Sequence, residues 1–307
     1  MRIAVMGTGG VGGYFGARLV QGGHEVAFVA RGKHLAALRN NGLRVESPLG
    51  DATLRDIRVT DDPAELDPVD MVLFGVKLWD TETSAELIKP LLGEHTGVVS
   101  LQNGVVADDI LGRILGKEHV VGGVCYIAAT IAEPGVIRHS GTLQKLVFGE
   151  YGGARSARVR ALHDACADSG IDVEASAAIE RAIWEKFVFL VGLSGTTSLA
   201  RTPIGPIRSN PRSRAFLRDM LDEVVQVARA QGVSLPADYA DDRLAFVDQV
   251  SAGMTSSMCN DLERGNRLEV AWLSGDVVDR GIELGVPTPC NRAVMDILAV
   301  HADGSSA

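Results

Sequence analysis

The sequence lacks the features that mark secreted, zinc-stapled and membrane-spanning proteins. Its four cysteines are far apart and form no CxxC pair (Cys125, Cys166, Cys259 and Cys290). This usage is typical of a reduced, cytoplasmic chain without structural zinc. No apolar run reaches the roughly 18 residues of a membrane span, and the start "MRIAVMGTGG" is too short in apolar residues for a signal peptide. We therefore expect a cytoplasmic protein with no membrane partner.

Basic residues are also scarce relative to acidic ones. The chain has 30 Lys and Arg against 39 Asp and Glu, a net charge of -9, and the two signs are interspersed. Such a surface offers no basic face, so we expect no nucleic-acid partner. The seven histidines form no HxxxH and suggest no Ser/His/Asp arrangement, so hydrolase and metal-dependent activities are poorly supported and no metal is expected.

The patterns that are present predict an α/β domain followed by a helical one. Continuous apolar runs predict buried parallel strands, and the segments between them have helical spacing closed by glycine, which predicts a doubly wound, Rossmann-type sheet. The strand runs are 2–7, 25–30, 69–77 and 97–104; residues 43–59 predict an inserted hairpin and 120–149 a β-rich stretch turning at "EPGV". Long helical patterns then occupy 177–199, 211–232, 238–252, 256–284 and 289–301. We place a Rossmann-type α/β domain at 1–176 and an all-helical domain at 177–307.

A glycine-rich loop follows the first predicted strand. "VMGTGGVGGYFG" has Gly7, Gly9 and Gly12 in GxGxxG spacing at the start of the first helix. These glycines allow a tight turn, backbone approach to a pyrophosphate and close helix–strand packing, and the helix N-terminus favours an anion. The predicted cofactor contacts are Gly7, Thr8, Gly9, Gly10, Val11 and Gly12. The alternative is a glycine-rich turn with no ligand.

The end of the second strand indicates which dinucleotide is preferred. An NAD site usually has Asp or Glu there for the ribose hydroxyls, whereas this chain has Ala30 and Arg31. A guanidinium suits a 2′-phosphate through bidentate, charge-assisted hydrogen bonds. The sequence thus favours NADP over NAD. Alternatively, Arg31 is an exposed helix-start residue, and Lys33 could share the phosphate role or be merely solvated.

Several polar residues stand where ligands of such sheets bind, or where a charge is unexpected. Lys77 and Asn103 follow the third and fourth strands, although each could be a loop polar residue. Lys186 heads an otherwise apolar or small run, and helical spacing places Leu190, Ser194 and Thr197 on its face. Burying an ammonium costs several kcal/mol unless a partner or ligand compensates it. A lysine there can stabilise and protonate an oxygen atom that gains negative charge during a reaction.

Two further candidates lie near the end of the chain. Glu269 stands beside a core-spaced stripe in "RLEVAWLSGDVVDRG", and its alternative is a solvated acid on a helix face. Ser257 begins a helical pattern, and its alternative is a helix N-cap with Asp261 in the first turn. We expect Asp261 to be structural.

Together, "GTGGVGGYFG", an Arg after the second strand, "VKLWDT", "LQNGV", "WEKF" and "SSMCNDLERGNRLEV" resemble the ketopantoate reductase family (2-dehydropantoate 2-reductases) over essentially the whole chain. The resemblance implies NADPH-dependent reduction of 2-dehydropantoate to pantoate in pantothenate biosynthesis. It implies that Lys186 is the general acid, that Glu269 orients substrate and lysine beside the cofactor, and that Ser257 binds the substrate carboxylate. It also places Asn103 and Lys77 at both cofactor and substrate.

The chain departs from the family at three positions. Leu190, Ser194 and Met254 stand where members with pantoate chemistry commonly have asparagine. We keep Ser194 as a substrate-binding candidate, and a more apolar 2-oxo acid remains open as the substrate. An NADP-linked dehydrogenase acting on another 2- or 3-hydroxy acid and a non-catalytic NADP sensor are the alternatives. Apolar helix faces and the resemblance together suggest a homodimer.

Overall fold

The structure, a computed structural model, describes residues 1–305 and divides the chain into two compact units. The first comprises Met1–Asn103 and Ala107–Ala182, and the second begins at Ile183 and includes Gly104–Val106. The strands of the first unit are β1 (Arg2–Met6), β2 (Glu25–Val29), β3 (Leu43–Glu46), β4 (Ala52–Leu54), β5 (Arg58–Thr60), β6 (Val69–Phe74), β7 (Leu92–Ser100), β8 (Val120–Glu133), β9 (Val136–Gly149) and β10 (Asp172–Ala175). The helices that accompany them are α1 (Gly10–Gln21), α2 (Gly32–Asn41), α3 (Thr81–Leu87), α4 (Val106–Leu115) and α5 (Ala157–Asp168).

The predicted doubly wound sheet is confirmed. Its parallel part runs in the order β8-β7-β6-β1-β2-β5, with β1 at the crossover between the two halves. Both faces of β1 are covered: Ile3 and Val5 belong to one hydrophobic core, while Ala4 and Met6 belong to the other. Because side chains alternate between faces, this burial on both sides explains why the strand is a continuous apolar run.

A long hairpin extends the sheet beyond its parallel part. β8 and β9 pair antiparallel around a turn in which Gly135 has φ of 84°, as the "EPGV" pattern predicts. β3 and β10 then pair parallel with β9, and β4 pairs with β3. The hairpin predicted over 43–59 is partly wrong. It ends at Leu54, and Arg58–Thr60 forms β5, which pairs with β2 because Val59 faces Phe28 at the sheet edge.

The fourth predicted strand also differs in its bounds. β7 spans Leu92–Ser100 rather than 97–104. It ends before Leu101, whose N–H donates to the carbonyl oxygen of Phe74 at 2.8 Å. Asn103 therefore lies in the loop after the strand.

The second unit is helical. Its helices are α6 (Ile179–Ala200, of which the part from Ile183 belongs to this unit), α7 (Ile204–Ser209), α8 (Pro211–Ala230), α9 (Tyr239–Gln249), α10 (Ser257–Glu263), α11 (Ser274–Leu284) and α12 (Pro289–Leu298). The helical segment predicted over 256–284 is wrong as a single element. Gly265, with φ of 68°, ends α10, and a 3-10 turn at Val270–Trp272 precedes α11. None of the helices within residues 1–305 has both the length and the apolar content needed to cross a membrane.

Candidate functional site

The glycine loop after β1 is tied to the end of β2. Gly7 has φ of 94°, which a residue with a side chain rarely adopts. The backbone N–H groups of Gly7 and Thr8 both donate to the carbonyl oxygen of Val29, at 3.2 and 3.1 Å. The buried hydroxyl of Thr8 donates to the same oxygen at 3.0 Å. These bonds fix the course of the chain into α1.

The glycines of the loop differ in what surrounds them. A Cβ at Gly10 would lie 2.2 Å from the carbonyl oxygen of Ala129, and one at Gly12 would lie 2.3 Å from that of Gly7. These two glycines are therefore required by packing. Apart from its chain neighbours, a Cβ at Gly9 would meet no atom of residues 1–305 within 4 Å, so this side of the loop is open.

The first turn of α1 can accept an anion on that open side. Gly9 is the N-cap residue, and no side chain within the described range caps the helix there. The first N–H groups of a helix have no partner inside it, and the half-buried Val11 lies in this turn. Exposed amides, the positive end of the helix dipole and an open backbone together fit a dinucleotide pyrophosphate.

Arg31 lies at the end of β2 as the N-cap residue of α2. Its side chain is 80% exposed, which agrees with a helix-start residue and also leaves it available to a ligand. The guanidinium donates to Asp80 Oδ2 at 2.5 Å. Lys33, on the first turn of α2, is exposed as well. The ion pair between residues 49 apart is a feature that the sequence did not reveal.

Lys77 and Asn103 lie at neighbouring strand ends. Lys77 is exposed just after β6, with Nζ 5.5 Å from the centre of the Trp79 ring. Asn103 is half-buried after β7. Between them, the buried Gln102 donates through Nε2 to the carbonyl oxygen of Val76 at 3.0 Å and to Thr81 Oγ1 at 2.8 Å. Gln102 is thus a supporting residue that sequence patterns missed, although it stands next to Asn103 in "LQNGV".

These features share one edge of the sheet. The carboxyl ends of β2, β1, β6 and β7 are adjacent and parallel. The first unit therefore gathers Arg31, the glycine loop, Lys77 and Asn103 at the edge where open α/β sheets bind ligands.

Lys186 lies on α6 in the second unit. It is half-buried, and the flanking Trp184 and Phe187 are buried with their rings edge to face at 5.5 Å between centroids. The face predicted from helical spacing continues with the half-buried Leu190 and the buried Ser194. Ser194 Oγ has no hydrogen-bond partner in the part of the chain that the structure describes. A buried hydroxyl without a partner costs stability, so this atom requires an explanation.

The start of α10 lies beside α6. Ser256 caps α10 by accepting a hydrogen bond from the N–H of Cys259 at 3.0 Å, and its Oγ is 3.1 Å from Thr197 Oγ1. Ser257 is the first residue of the helix and is exposed. The alternative that Ser257 is the N-cap is therefore wrong. Asp261 is likewise beyond the first turn of α10.

Glu269 lies just before the 3-10 turn Val270–Trp272 and is only 8% exposed. Its backbone carbonyl accepts from the N–H groups of Trp272 and Leu273, at 3.0 and 3.1 Å. The alternative of a solvated acid on a helix face is wrong on both counts, because the residue is buried and lies outside the α-helices. A buried carboxyl group is retained where a partner or ligand compensates its charge.

The acidic and sulfur-bearing side chains do not form a metal site. Over the 305 described residues, no group of three or more His, Cys, Asp or Glu side chains could hold a metal ion.

Known proteins match both units. The family model for ketopantoate reductase PanE/ApbA matches residues 3–153, and the model for its C-terminal part matches residues 178–302. A 2-dehydropantoate 2-reductase from Archaeoglobus fulgidus is 35% identical over 97% of this chain and 96% of its own length. An uncharacterised oxidoreductase, YkpB from Bacillus subtilis, is 32% identical over 98% of this chain and 99% of its own length.

Solved structures give the same result. A PanE/ApbA family ketopantoate reductase from Ralstonia eutropha superposes with a TM-score of 0.89 at 34% identity, covering 98% of both chains. A D-mandelate dehydrogenase with bound NADH has a TM-score of 0.89 and covers 98% of both chains, but at 20% identity it shows only a shared fold. With both family models matched and relatives above 30% identity along almost the whole chain, this protein belongs to the ketopantoate reductase family of oxidoreductases.

Proposed function

We propose that the protein catalyses NADPH-dependent reduction of a 2-oxo acid, with 2-dehydropantoate as the leading substrate and pantoate as the product. The observation that carries the proposal is Lys186, a half-buried ammonium group in the apolar helix α6. In the same chain, the first unit has the glycine loop Gly7–Gly12, in which the space beside Gly9 is open and suits a dinucleotide. The relatives named as 2-dehydropantoate 2-reductases support this substrate, and the pathway would be pantothenate biosynthesis.

The residues of this chain supply binding, orientation and a proton. The loop Gly7–Gly12 holds the pyrophosphate, and Arg31 contacts the 2′-phosphate. NADPH, when bound, supplies the hydride that reduces the ketone. Negative charge then develops on the carbonyl oxygen of the substrate, and Lys186 Nζ stabilises it and donates the proton. Asn103 and Lys77 contact the cofactor and the substrate.

Ser257 and Glu269 complete the proposed site. The exposed hydroxyl of Ser257 is not used for capping, so it is available to a substrate carboxylate. Glu269 orients Lys186 and contacts the cofactor, and the buried, unpartnered hydroxyl of Ser194 is a further substrate contact. The hydroxyl of Ser194 supports its role because it is buried without a hydrogen-bond partner among residues 1–305, so a polar ligand atom would satisfy it.

A second candidate substrate is a more apolar 2-oxo acid. Leu190 is half-buried and lies one helical turn after Lys186. Residues four apart are neighbours on a helix surface, so an alkyl side chain lies next to Lys186 on α6. An alkyl neighbour cannot hydrogen-bond to the 4-hydroxyl of 2-dehydropantoate. The matched compound 3,3-dimethyl-2-oxobutanoate lacks only that hydroxyl and separates the two candidates.

The test is NADPH oxidation by the purified protein with both compounds. We expect turnover with a 2-oxo acid, and we expect Lys186→Ala to lower kcat/KM by about 10²–10⁴-fold because the general acid is lost. Lys89→Ala, at an exposed position paired with Glu86, is the control and should retain full activity. NADPH affinity should stay within about twofold in both variants. Undiminished turnover in Lys186→Ala would refute the mechanism.

We also propose that the protein is a cytoplasmic homodimer. The four free cysteines suit a reducing compartment. Several large apolar side chains of α11 and α12 and the segment after them are exposed and could be covered by a second copy: Ile282, Leu284, Ile297 and Val300.

A further inference from the structure

Asp80 is the last residue of a 3-10 turn, Leu78–Asp80, that leads directly into α3. Within the described chain its side chain makes no capping hydrogen bond to α3. The carboxylate instead accepts the Arg31 guanidinium at 2.5 Å. The Asp80 side chain is 24% exposed and that of Arg31 is 80% exposed, so the acid is the more buried of the two partners.

The position of this pair is informative. Arg31 follows β2 and Asp80 follows β6, and these two strands flank β1 on either side. The ion pair therefore reaches across the carboxyl end of β1, where the glycine loop begins. In a dinucleotide site of this topology, the adenosine ribose lies at the end of β2. The residue that follows β2 is not acidic, but its ion pair brings the carboxylate of Asp80, which follows β6, close to the end of β2.

We propose that Asp80 is a specificity-determining residue that accepts a hydrogen bond from the ribose 2′-hydroxyl of NADH and restrains the preference for NADPH. A carboxylate accepts a charge-assisted hydrogen bond from a hydroxyl group, whereas it repels the dianionic 2′-phosphate. It also engages part of the guanidinium fork that the phosphate requires. The proposal rests on the cofactor site proposed above, and it makes the preference for NADPH modest rather than absolute.

The experiment measures dissociation constants of NADPH and NADH by fluorescence titration of the full-length protein without substrate. We expect Asp80→Asn to bind NADPH more tightly and NADH more weakly, raising the NADPH/NADH selectivity roughly tenfold. Arg31→Ala should shift the selectivity the other way by a similar factor. Since no substrate is present, the result is independent of which 2-oxo acid is reduced, or of whether any is.

The control is Glu82→Gln. This substitution also removes one negative charge from α3, and it breaks an exposed ion pair with Arg113. It should leave the selectivity within about twofold of the unsubstituted protein. Equal weakening of both cofactors in Asp80→Asn would overturn the proposal and assign Asp80 a structural role. Weakening of NADPH alone would also overturn it, because Asp80 would then be holding Arg31 ready for the phosphate. Failure of the unsubstituted protein to bind either cofactor would overturn the proposed cofactor site itself.

Discussion

Ser256 and Ser257 are neighbours in the chain with opposite environments. Ser256 is buried, caps α10 and lies against Thr197 of α6. Ser257 is exposed at the first position of the helix. Ser256 has extended backbone angles as the N-cap, whereas Ser257 begins the helix, so the two side chains lie in different surroundings.

This difference leads to a prediction for two alanine variants. Ser256→Ala should lower the free energy of unfolding by about 1 kcal/mol, because the N–H of Cys259 loses its capping partner. Ser257→Ala should leave that free energy within about 0.5 kcal/mol, since the position is exposed. It should instead raise KM for the 2-oxo acid. Urea unfolding and steady-state kinetics measure the two effects, and a raised KM in Ser256→Ala alone would contradict the assignment.

At the scale of single elements, the start of α1 combines packing and binding within four residues. Gly12 lets the helix approach β1, because a Cβ there would lie 2.8 Å from Val5 Cγ1 as well as against the backbone of Gly7. Gly9 has φ of -78°, a value that alanine also adopts, and its Cβ position is open. The same motif therefore contains Gly12, which packing requires, and Gly9, whose open side we propose for the pyrophosphate.

The two glycines should respond differently to alanine. Gly12→Ala should lower the free energy of unfolding by about 2 kcal/mol or more because of overpacking. Gly9→Ala should cost less than about 1 kcal/mol, the difference in N-cap preference, while its methyl group obstructs the pyrophosphate and weakens NADPH binding at least about tenfold. Thermal unfolding and fluorescence titration distinguish these outcomes. Normal NADPH affinity in a folded Gly9→Ala protein would show that the open side is not the pyrophosphate site.

The elements that sequence predicted well are those determined by local pattern. The run "RIAVM" is apolar on both faces because β1 is covered on both, and the glycine loop follows it directly. The break at Gly265 was missed although the signal is present in "ERGNRL". Apolar residues on either side keep helical spacing, and this periodicity concealed the turn before Glu269.

Long-range pairing accounts for what the sequence could not reveal. The residues Arg58–Thr60 have no pattern of their own that distinguishes a second hairpin strand from a parallel edge strand. Their pairing with β2 makes them a parallel edge strand. The contact between Arg31 and Asp80 likewise depends on the order of strands in the sheet. Spacing along the chain contains no record of such contacts, so the proximity of Asp80 to Arg31 could be found only in the fold.

On the scale of the whole molecule, the chain has a net charge of -9, yet the carboxyl group of Asp108 resists ionisation. Asp108, in the first turn of α4, accepts a hydrogen bond from the Tyr151 hydroxyl at 2.6 Å through Oδ2. Its Oδ1 is buried and has no partner among residues 1–305. Burial raises the pKa of Asp108 to about 7, outweighing the opposing effect of the tyrosine hydrogen bond.

The contribution of Asp108 to stability should therefore fall as pH rises from about 4 to about 7. Below about pH 4 the group is protonated in both folded and unfolded chains, but between that pH and about 7 only the folded chain retains the proton. Ionised Asp108 then destabilises the folded state above pH 7. Asp108→Asn keeps an acceptor for Tyr151 and removes the ionisation, so it should raise the free energy of unfolding at pH 8 by about 1–3 kcal/mol.

At pH 4 the same variant should match the unsubstituted protein within about 0.5 kcal/mol, because the carboxyl group is then neutral in both states. Differential scanning calorimetry from pH 4 to 8 provides the measurement. Asp168→Asn, an exposed acid on α5, is the control and should give a difference that hardly varies with pH. A difference for Asp108→Asn that is constant from pH 4 to 8 would mean that the carboxyl group ionises normally, despite its buried oxygen.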